Sequence, residues 1–210
     1  DEVGCFEMAE TGIVEVTDPS GLFTSVHAEP VPGTCITVTM EGRRPLLAEL
    51  QALVAPSVLP APRRTVHGLD SGRVSMVLAV LERRCRVAVS SRDVYASTVG
   101  GAKVSDPSAD LAIAIAIASA ATNFTLGART IALGEVGLAG ELRRVPGTDR
   151  RLAEAARLGF TDAVVPAEPP AVGRRLVDAR QLTTTERGGL RVHTVPTLAH
   201  ALVAVGIDGR

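Results

Sequence analysis

The stretch that most limits how this chain can fold is Leu111 to Ala121, built only of Leu, Ile, Ala and one Ser, with no charge. Asp106-Pro107 stands ahead of it in the order that begins helices, Asp as N-cap and Pro at the first helical position. A helix that is apolar nearly all round has no face to give to water. The rest of the chain must therefore enclose it, which predicts a central buried helix covered by other elements.

The flanking patterns supply that cover. Thr34 to Met40 alternates with period two, Glu41-Gly42-Arg43-Arg44 can turn, and Leu46 to Val54 alternates again, which predicts a β-hairpin. Asp70 caps a segment in which Val74, Val77, Leu78 and Leu81 fall at helical spacing, closing in Arg83 and Arg84 where cations suit the carbonyl end. Cys85 to Val99 has strand composition, broken by Gly100-Gly101. Beyond the central helix, Thr130–Leu133 reads as a strand, Gly134–Gly140 as a Gly-rich turn, and Glu141–Val145 as a returning strand. Arg150–Leu158 reads as a helix ended by Gly159, and Thr161–Val165 as a strand stopped by Pro166. An Arg-rich helix from after Glu168 to about Ala179, a strand at Leu190–Val195 and a helix at Pro196–Val205 complete the order. Strands and helices alternate without a repeat period, which predicts a two-layer α/β (α+β) domain. Residues 1–33, broken by Asp18-Pro19-Ser20-Gly21 and Pro30-Val31-Pro32-Gly33, read as an appendage: a strand and a linker.

Composition narrows the function classes. A chain of 210 residues fits one domain with appendages, and 46% hydrophobic with 21% charged residues is too apolar for disorder. No apolar run approaches ~18 residues, so a membrane span is not expected and a soluble, cytoplasmic chain is. The balance of 22 Lys and Arg against 23 Asp and Glu excludes a globally basic nucleic-acid binder and leaves room only for a local basic surface. With 2% aromatic residues, stacking platforms for single strands are poorly supported. Cys5, Cys35 and Cys85 lie too far apart for a zinc knuckle or a disulfide framework, and a reducing compartment is expected. His27, His67, His193 and His200 have no metal-ligand spacing. Gly134 to Gly140 holds G-x-x-G-x-x-G, not a dinucleotide fingerprint, and G-x-x-x-x-G-K-[ST] occurs nowhere, so no cofactor is expected on this chain.

The residue with chemical promise is Ser108, in the first turn of the central helix, where free N–H groups and the dipole suit an oxyanion. A serine hydroxyl needs a base to attack anything at neutral pH, and the alternative reading is a helix-start residue that satisfies the first turn.

Several blocks carry a family resemblance. Pro107-Ser108-Ala109, the run Gly134-Glu135-Val136-Gly137-Leu138-Ala139-Gly140-Glu141-Leu142-Arg143-Arg144-Val145, then Ala155-Ala156-Arg157-Leu158-Gly159-Phe160 and Val164-Val165-Pro166, resemble the proteolytic domain of Lon-type proteases. They resemble more closely the Lon-like C-terminal domain of the RadA (Sms) family of bacterial DNA repair and recombination proteins. Asp1 to Met8 is similar to the last strand of that family's RecA-like ATPase, and Met40–Leu47 with Glu49–Val54 to the opening hairpin of its Lon-like domain. The blocks run collinearly over almost the whole chain.

The resemblance implies a Lon protease-like (ribosomal S5 domain 2-like) fold for residues 34–210, preceded at 1–33 by the end of the ATPase domain and a linker. Lon proteases pair the serine with a lysine at the start of the helix after the returning strand. Counting back from Gly159 and Pro166 puts that position on Asp149, and the motif's closing Gly is replaced by Asp110. A carboxylate cannot be the amine of a Ser–Lys dyad, so no catalytic residue and no peptidase activity is expected. The rivals are a peptidase using Ser108 with an unconventional base, for which the only lysine is Lys103, and a purely oligomerising scaffold. The family reading further implies an ATP-driven branch-migration helicase. Its ATP, Mg and Zn sites would lie upstream of Asp1, its assembly would be a hexameric ring, and its partners would be single-stranded or branched DNA and the recombinase RecA. Lys103, Arg143, Arg144, Arg83, Arg84 and Arg86 are then the candidates for phosphate contact, since an arginine fork holds phosphate bidentately. Arg150-Arg151 and Arg174-Arg175 are expected on the surface or at a subunit interface, paired with Glu154 or Asp178. Apolar surface between subunits is expected from Pro196–Val205 or Leu46–Val54.

Overall fold

The computed structural model describes residues 6–9, 12–15, 30–168 and 182–207. The expected helix between Glu168 and Ala179 lies outside the described residues. Near the N-terminus, β1 (Phe6–Ala9) and β2 (Gly12–Glu15) form a separate antiparallel ribbon.

The alternating stretch from Thr34 pairs as expected: β3 (Thr34–Glu41) and β4 (Arg44–Pro56) run antiparallel around Gly42-Arg43, with Glu41 opposite Arg44 and Gly42 at φ 59°. Period two splits their side chains between two cores. Cys35, Ala48 and Leu50 face the layer of α1 (Ser71–Cys85), α2 (Asp110–Thr122) and α4 (Leu198–Ala204), while Val38 and Leu47 face α3 (Thr148–Arg157). The complete sheet runs β11-β12-β10-β7-β3-β4-β6-β5, adding β5 (Arg64–His67), β6 (Arg92–Thr98), β7 (Thr130–Ala132), β10 (Asp162–Pro166), β11 (Thr183–Arg187) and β12 (Leu190–Val195). It is mixed: β12–β10, β10–β7, β7–β3 and β6–β5 pair in parallel, the rest antiparallel.

The chain is thus an α/β domain, but two layers are not enough to describe it. Strands β7 and β10 carry apolar residues on consecutive positions, such as Ala163, Val164 and Val165, and so need cover on both faces. The helix layer packs on one side and α3 on the other.

The central helix is as enclosed as its composition requires: Leu111 through Ser119 are all buried. Asn123, in the left-handed conformation, ends it. The stretch Cys85–Val99 becomes a strand only from Arg92. Arg86, at φ 59°, stops α1, and the Glu82 carboxylate accepts from the backbone N–H of Val89 (2.7 Å) and Ser90 (3.0 Å), holding residues 86–91 as a loop. A small antiparallel pair, β8 (Glu135–Val136) and β9 (Leu142–Arg143), flanks the Gly-rich turn. The segments expected to supply subunit surface spend most of their apolar residues on their own core. Leu198, Ala201 and Leu202 of α4 and Leu47 and Leu50 of β4 are buried, leaving Val203 and Leu53 exposed. No helix among the described residues is long and apolar enough to cross a membrane.

Candidate functional site

Ser108 sits where the sheet divides. Strands β3 and β7 pair only at Ile36–Ile131, and beyond that point they separate. A 3-10 turn at Pro107–Ala109 and the start of α2 fill the gap, with Gly134 N–H donating to the Ser108 carbonyl (2.8 Å) and Leu111 N–H to the Gly134 carbonyl (3.0 Å). Asp106 caps the turn by accepting from Ser108 N–H (3.0 Å). An opening at the carboxyl ends of parallel strands is the usual ligand crevice of α/β sheets. Here it is plugged by protein.

The plug is Arg151. This side chain, 3% exposed, reaches from α3 through the split and donates to Ser108 Oγ (2.7 Å), the Val38 carbonyl (2.5 Å), Asp106 Oδ2 (2.6 Å) and the Pro146 carbonyl (3.2 Å). Ser108 itself is 0% exposed. A guanidinium stays protonated at any pH a protein survives, so Arg151 cannot take the proton of Ser108; it spends a hydrogen bond on the hydroxyl oxygen instead. Burial pushes the Asp106 carboxyl up, but the Ser108 N–H and the Arg151 guanidinium outweigh it and hold Asp106 below the usual carboxylate range. The cluster ties β3, the 3-10 turn and α3 together as an ion pair in which each nitrogen of the guanidinium is bonded to protein.

The residue that faces Ser108 is therefore Arg151, and Asp149 is elsewhere. Asp149 is 80% exposed on its side chain and accepts from Arg187 Nη1 at 3.2 Å. Positions two apart on a helix point about 200° away from each other, so only one of the pair can look into the sheet. The expectation of Arg151 as a surface cation is overturned by the same geometry, and Glu154 pairs instead with Arg157 (2.7 and 2.9 Å). Arg174, Arg175 and Asp178 lie outside the described residues.

Asp110, seen in the sequence only as a departure from a motif, is a second buried ionic contact. Its carboxylate takes a two-pronged bond from Arg73, Nε to Oδ1 at 2.7 Å and Nη2 to Oδ2, and also accepts from Val136 N–H (3.1 Å). Burial pushes the Asp110 carboxyl up, whereas the Asp110 bond raises the Arg73 guanidinium. The fork-on-carboxylate geometry decides for an ionised pair. It pins the starts of α1 and α2 to the β8–β9 hairpin.

The six candidates for phosphate contact do not converge on one patch. Arg143 is engaged by Glu141 (2.6 Å) and Glu135 (3.5 Å), and Arg144 by Glu168 (2.7 Å). Lys103 is exposed, beside the Leu69–Val104 bridge at the start of α1. Arg83, Arg84 and Arg86 stand at the other end of that helix, about 22 Å away by its rise. Arg144 and Arg150 line an open groove of about 490 Å³ with Val145, Gly147, Thr148 and Asp149, at the N-terminus of α3. Lys103 borders the same end of the sheet, three residues before Asp106, which Arg151 grips from beside Arg150.

Among the described residues no three His, Cys, Asp or Glu side chains gather as a metal site. His193 meets Asp162 (3.3 Å) and Thr184 (3.1 Å), and His200 meets Thr197 (2.6 Å). Cys35 and Cys85 are buried free thiols, pushed up by burial to about 12 and about 11, while Cys5 and His27 lie outside the described residues.

Fold and site together define a mixed α/β domain whose crevice is closed by a Ser–Arg–Asp cluster. Residues 98–169, which contain that cluster, match the family model described as subunit ChlI of Mg-chelatase. The chain is 59% identical over 166 residues to the DNA repair protein RadA of Mycolicibacterium smegmatis, covering 79% of this chain and 35% of that protein. It is 53% identical over 166 residues to RadA of Mycobacterium tuberculosis, with the same coverage, and 46% identical over 165 residues to RadA of Streptococcus pyogenes, covering 79% and 36%. Over the matched segment the chain belongs to the RadA family of DNA repair proteins. It spans about a third of the length of these relatives.

Proposed function

We propose that this chain is a non-proteolytic, Lon-like module of a RadA-type DNA recombination and repair protein, serving ring assembly and DNA contact for an ATPase carried on the rest of the protein. The observation that carries the reading is the sealed cluster: a serine with no exposure, bonded to a permanent cation, has neither a path for a carbonyl substrate nor a base. The module's work is thereby left to its surfaces. Charge distribution supports a DNA-facing one, because residues 34–210 hold all 22 Lys and Arg but only 16 of the 23 Asp and Glu. The net charge of −1 hides a basic domain behind an acidic N-terminal stretch.

The phosphate path we favour runs along the sealed crevice: Arg144 and Arg150 line the groove at the start of α3, and exposed Lys103 stands three residues before Asp106. Fluorescence anisotropy of labelled single- and double-stranded DNA, at low and physiological salt, tests it against a Lys103→Ala/Arg150→Ala variant. Salt-sensitive binding weakened about tenfold by the variant is expected, since each phosphate contact carries counterion release. Absence of binding at low salt would leave the scaffold reading, and hydrolysis of a peptide ester lost on Ser108→Ala would restore the peptidase one.

A further inference from the structure

A different cationic feature, remote from the crevice, is not explained by that reading. At the C-terminal half of α1, Ala79, Val80, Arg83 and Arg84 form a groove of about 260 Å³ against Leu138, the tip of the turn between β8 and β9. We propose that this groove is a docking site for an acidic peptide segment carrying a bulky apolar side chain.

Three observations carry it. The first is uncompensated charge. Arg73, Arg143, Arg144, Arg151, Arg157, Arg187 and Arg191 all have carboxylate partners, whereas the side chains of Arg83, Arg84 and Arg86 make no hydrogen bond or ion pair among the described residues. Arg83 and Arg84, in the last turn of α1, and Arg86, its left-handed cap, thus gather three positive charges within four residues, a local field that attracts an anion. The second is Leu138, a large apolar residue 69% exposed that shares the groove with Arg83 and Arg84.

The third is that Leu138 is held out by a braced turn. Gly140 N–H donates to the Gly137 carbonyl (2.9 Å) and Gly137 N–H to the Glu141 carbonyl (2.9 Å), while Glu141 Oε2 accepts from Ala139 N–H (3.1 Å). The base of the hairpin is tied to the rest of the domain through Val136 N–H on Asp110 and Leu142 N–H on the Pro196 carbonyl (3.0 Å). The stem of Arg84 lies against Gly140, where a Cβ would come within 3.3 Å of it. The groove is thus rigid on both walls, which lowers the ordering cost of binding.

The chemistry selects the occupant. A phosphodiester backbone would answer the charge and leave Leu138 in water. A carboxylate-rich peptide with one Leu, Ile or Phe answers both, and the cavity holds about one such side chain.

The probe is a fluorescein-labelled heptapeptide, Asp-Glu-Asp-Leu-Phe-Asp-Glu, titrated by anisotropy with the whole 210-residue chain. Controls are the same peptide with Gly for Leu and Phe, and an oligothymidylate of equal length. Saturable binding is expected, weakened at least tenfold by Leu138→Ser, by Arg83→Glu/Arg84→Glu and by the Gly peptide, and only partly lost at about 0.5 M salt. Leu138 lies outside the cores, so Leu138→Ser leaves the unfolding transition unchanged, which a melt verifies. The proposal is overturned by no peptide binding up to about 1 mM, by an affinity indifferent to Leu138→Ser, by tighter oligothymidylate binding that competes with the peptide, or by a change in oligomer size on Leu138→Ser, which would make a second copy the occupant. Loss of the crevice phosphate path in Lys103→Ala/Arg150→Ala leaves peptide binding intact, so the two readings fail separately.

Discussion

Replacing Arg151 by Ala removes a fork that serves four acceptors, and the cost follows from what each acceptor has left. Asp106 keeps the Ser108 N–H and some solvent, so its loss is partial. The Val38 carbonyl and Ser108 Oγ are left in a site without exposure, each costing about 1–3 kcal/mol if unsatisfied. Water entering the space vacated by the side chain offsets part of that. Breaking a buried ion pair costs about 3–5 kcal/mol, and the lower half of that range fits here. At about 2–4 °C per kcal/mol for a domain of this size, the thermal midpoint should fall by about 10 °C. Calorimetry or urea unfolding at pH 7 measures it, with Asp149→Ala as the comparison, since an exposed pair contributes almost nothing. The pH dependence has a definite sign. Asp106 is held below its ordinary range, so its contribution is present above the unfolded carboxylate pKa and lost as pH falls through the folded value. The gap between wild type and Arg151→Ala should therefore narrow in acid. A loss under about 1 kcal/mol at pH 7, or an equal loss from Asp149→Ala, would refute the view that Arg151 closes the crevice.

Thr37 is buried at 0% exposure with its Oγ1 lacking a partner among the described residues, so Thr37→Val should raise stability by about 1 kcal/mol in urea unfolding; a loss would mean the hydroxyl is satisfied in solution. Gly68, at φ 71°, has no room for a Cβ against Thr98 Oγ1 and the Ala102 carbonyl, and Gly68→Ala should cost about 2–4 kcal/mol by the same assay, with a cost below 1 contradicting that packing. In a Cys5→Ser background neither Cys35 nor Cys85 should react with a thiol reagent at pH 8 within the time that the urea-unfolded chain reacts fully, because burial holds both as thiols.

The parts of the fold that the sequence displays are those where local pattern and tertiary need agree. The β3–β4 hairpin alternates because each strand faces two cores, and α1 carries Asp70 and its Arg83-Arg84 end where the backbone wants them. Strands β5 and β11 were illegible for opposite reasons. Arg-Thr-Val-His at 64–67 is too short to show a period, and Thr183–Arg187 is exposed throughout, so it is held by its pairing with β12 and not by any apolar face. The two-layer expectation failed because periodicity reports which faces of a strand are apolar but not which helix covers them.

The site shows the same limit more sharply. Ser108 was legible because a helix start advertises itself in Asp106-Pro107, but its partner lies 43 positions away on another element. Locating it by counting along a motif tolerates no slip, since a displacement of two residues turns the answer from the buried face of α3 to the exposed one. Helical spacing offered a better signal. Arg151 shares the face of Leu152 and Ala155, both buried, one and four positions on. A guanidinium on the apolar stripe of an amphipathic helix must either snorkel to water or find anions and carbonyls inside. With Asp106 the carboxylate next to the split in the sheet, the second outcome was available to Arg151 and closed the crevice that a Lon-type serine would need open.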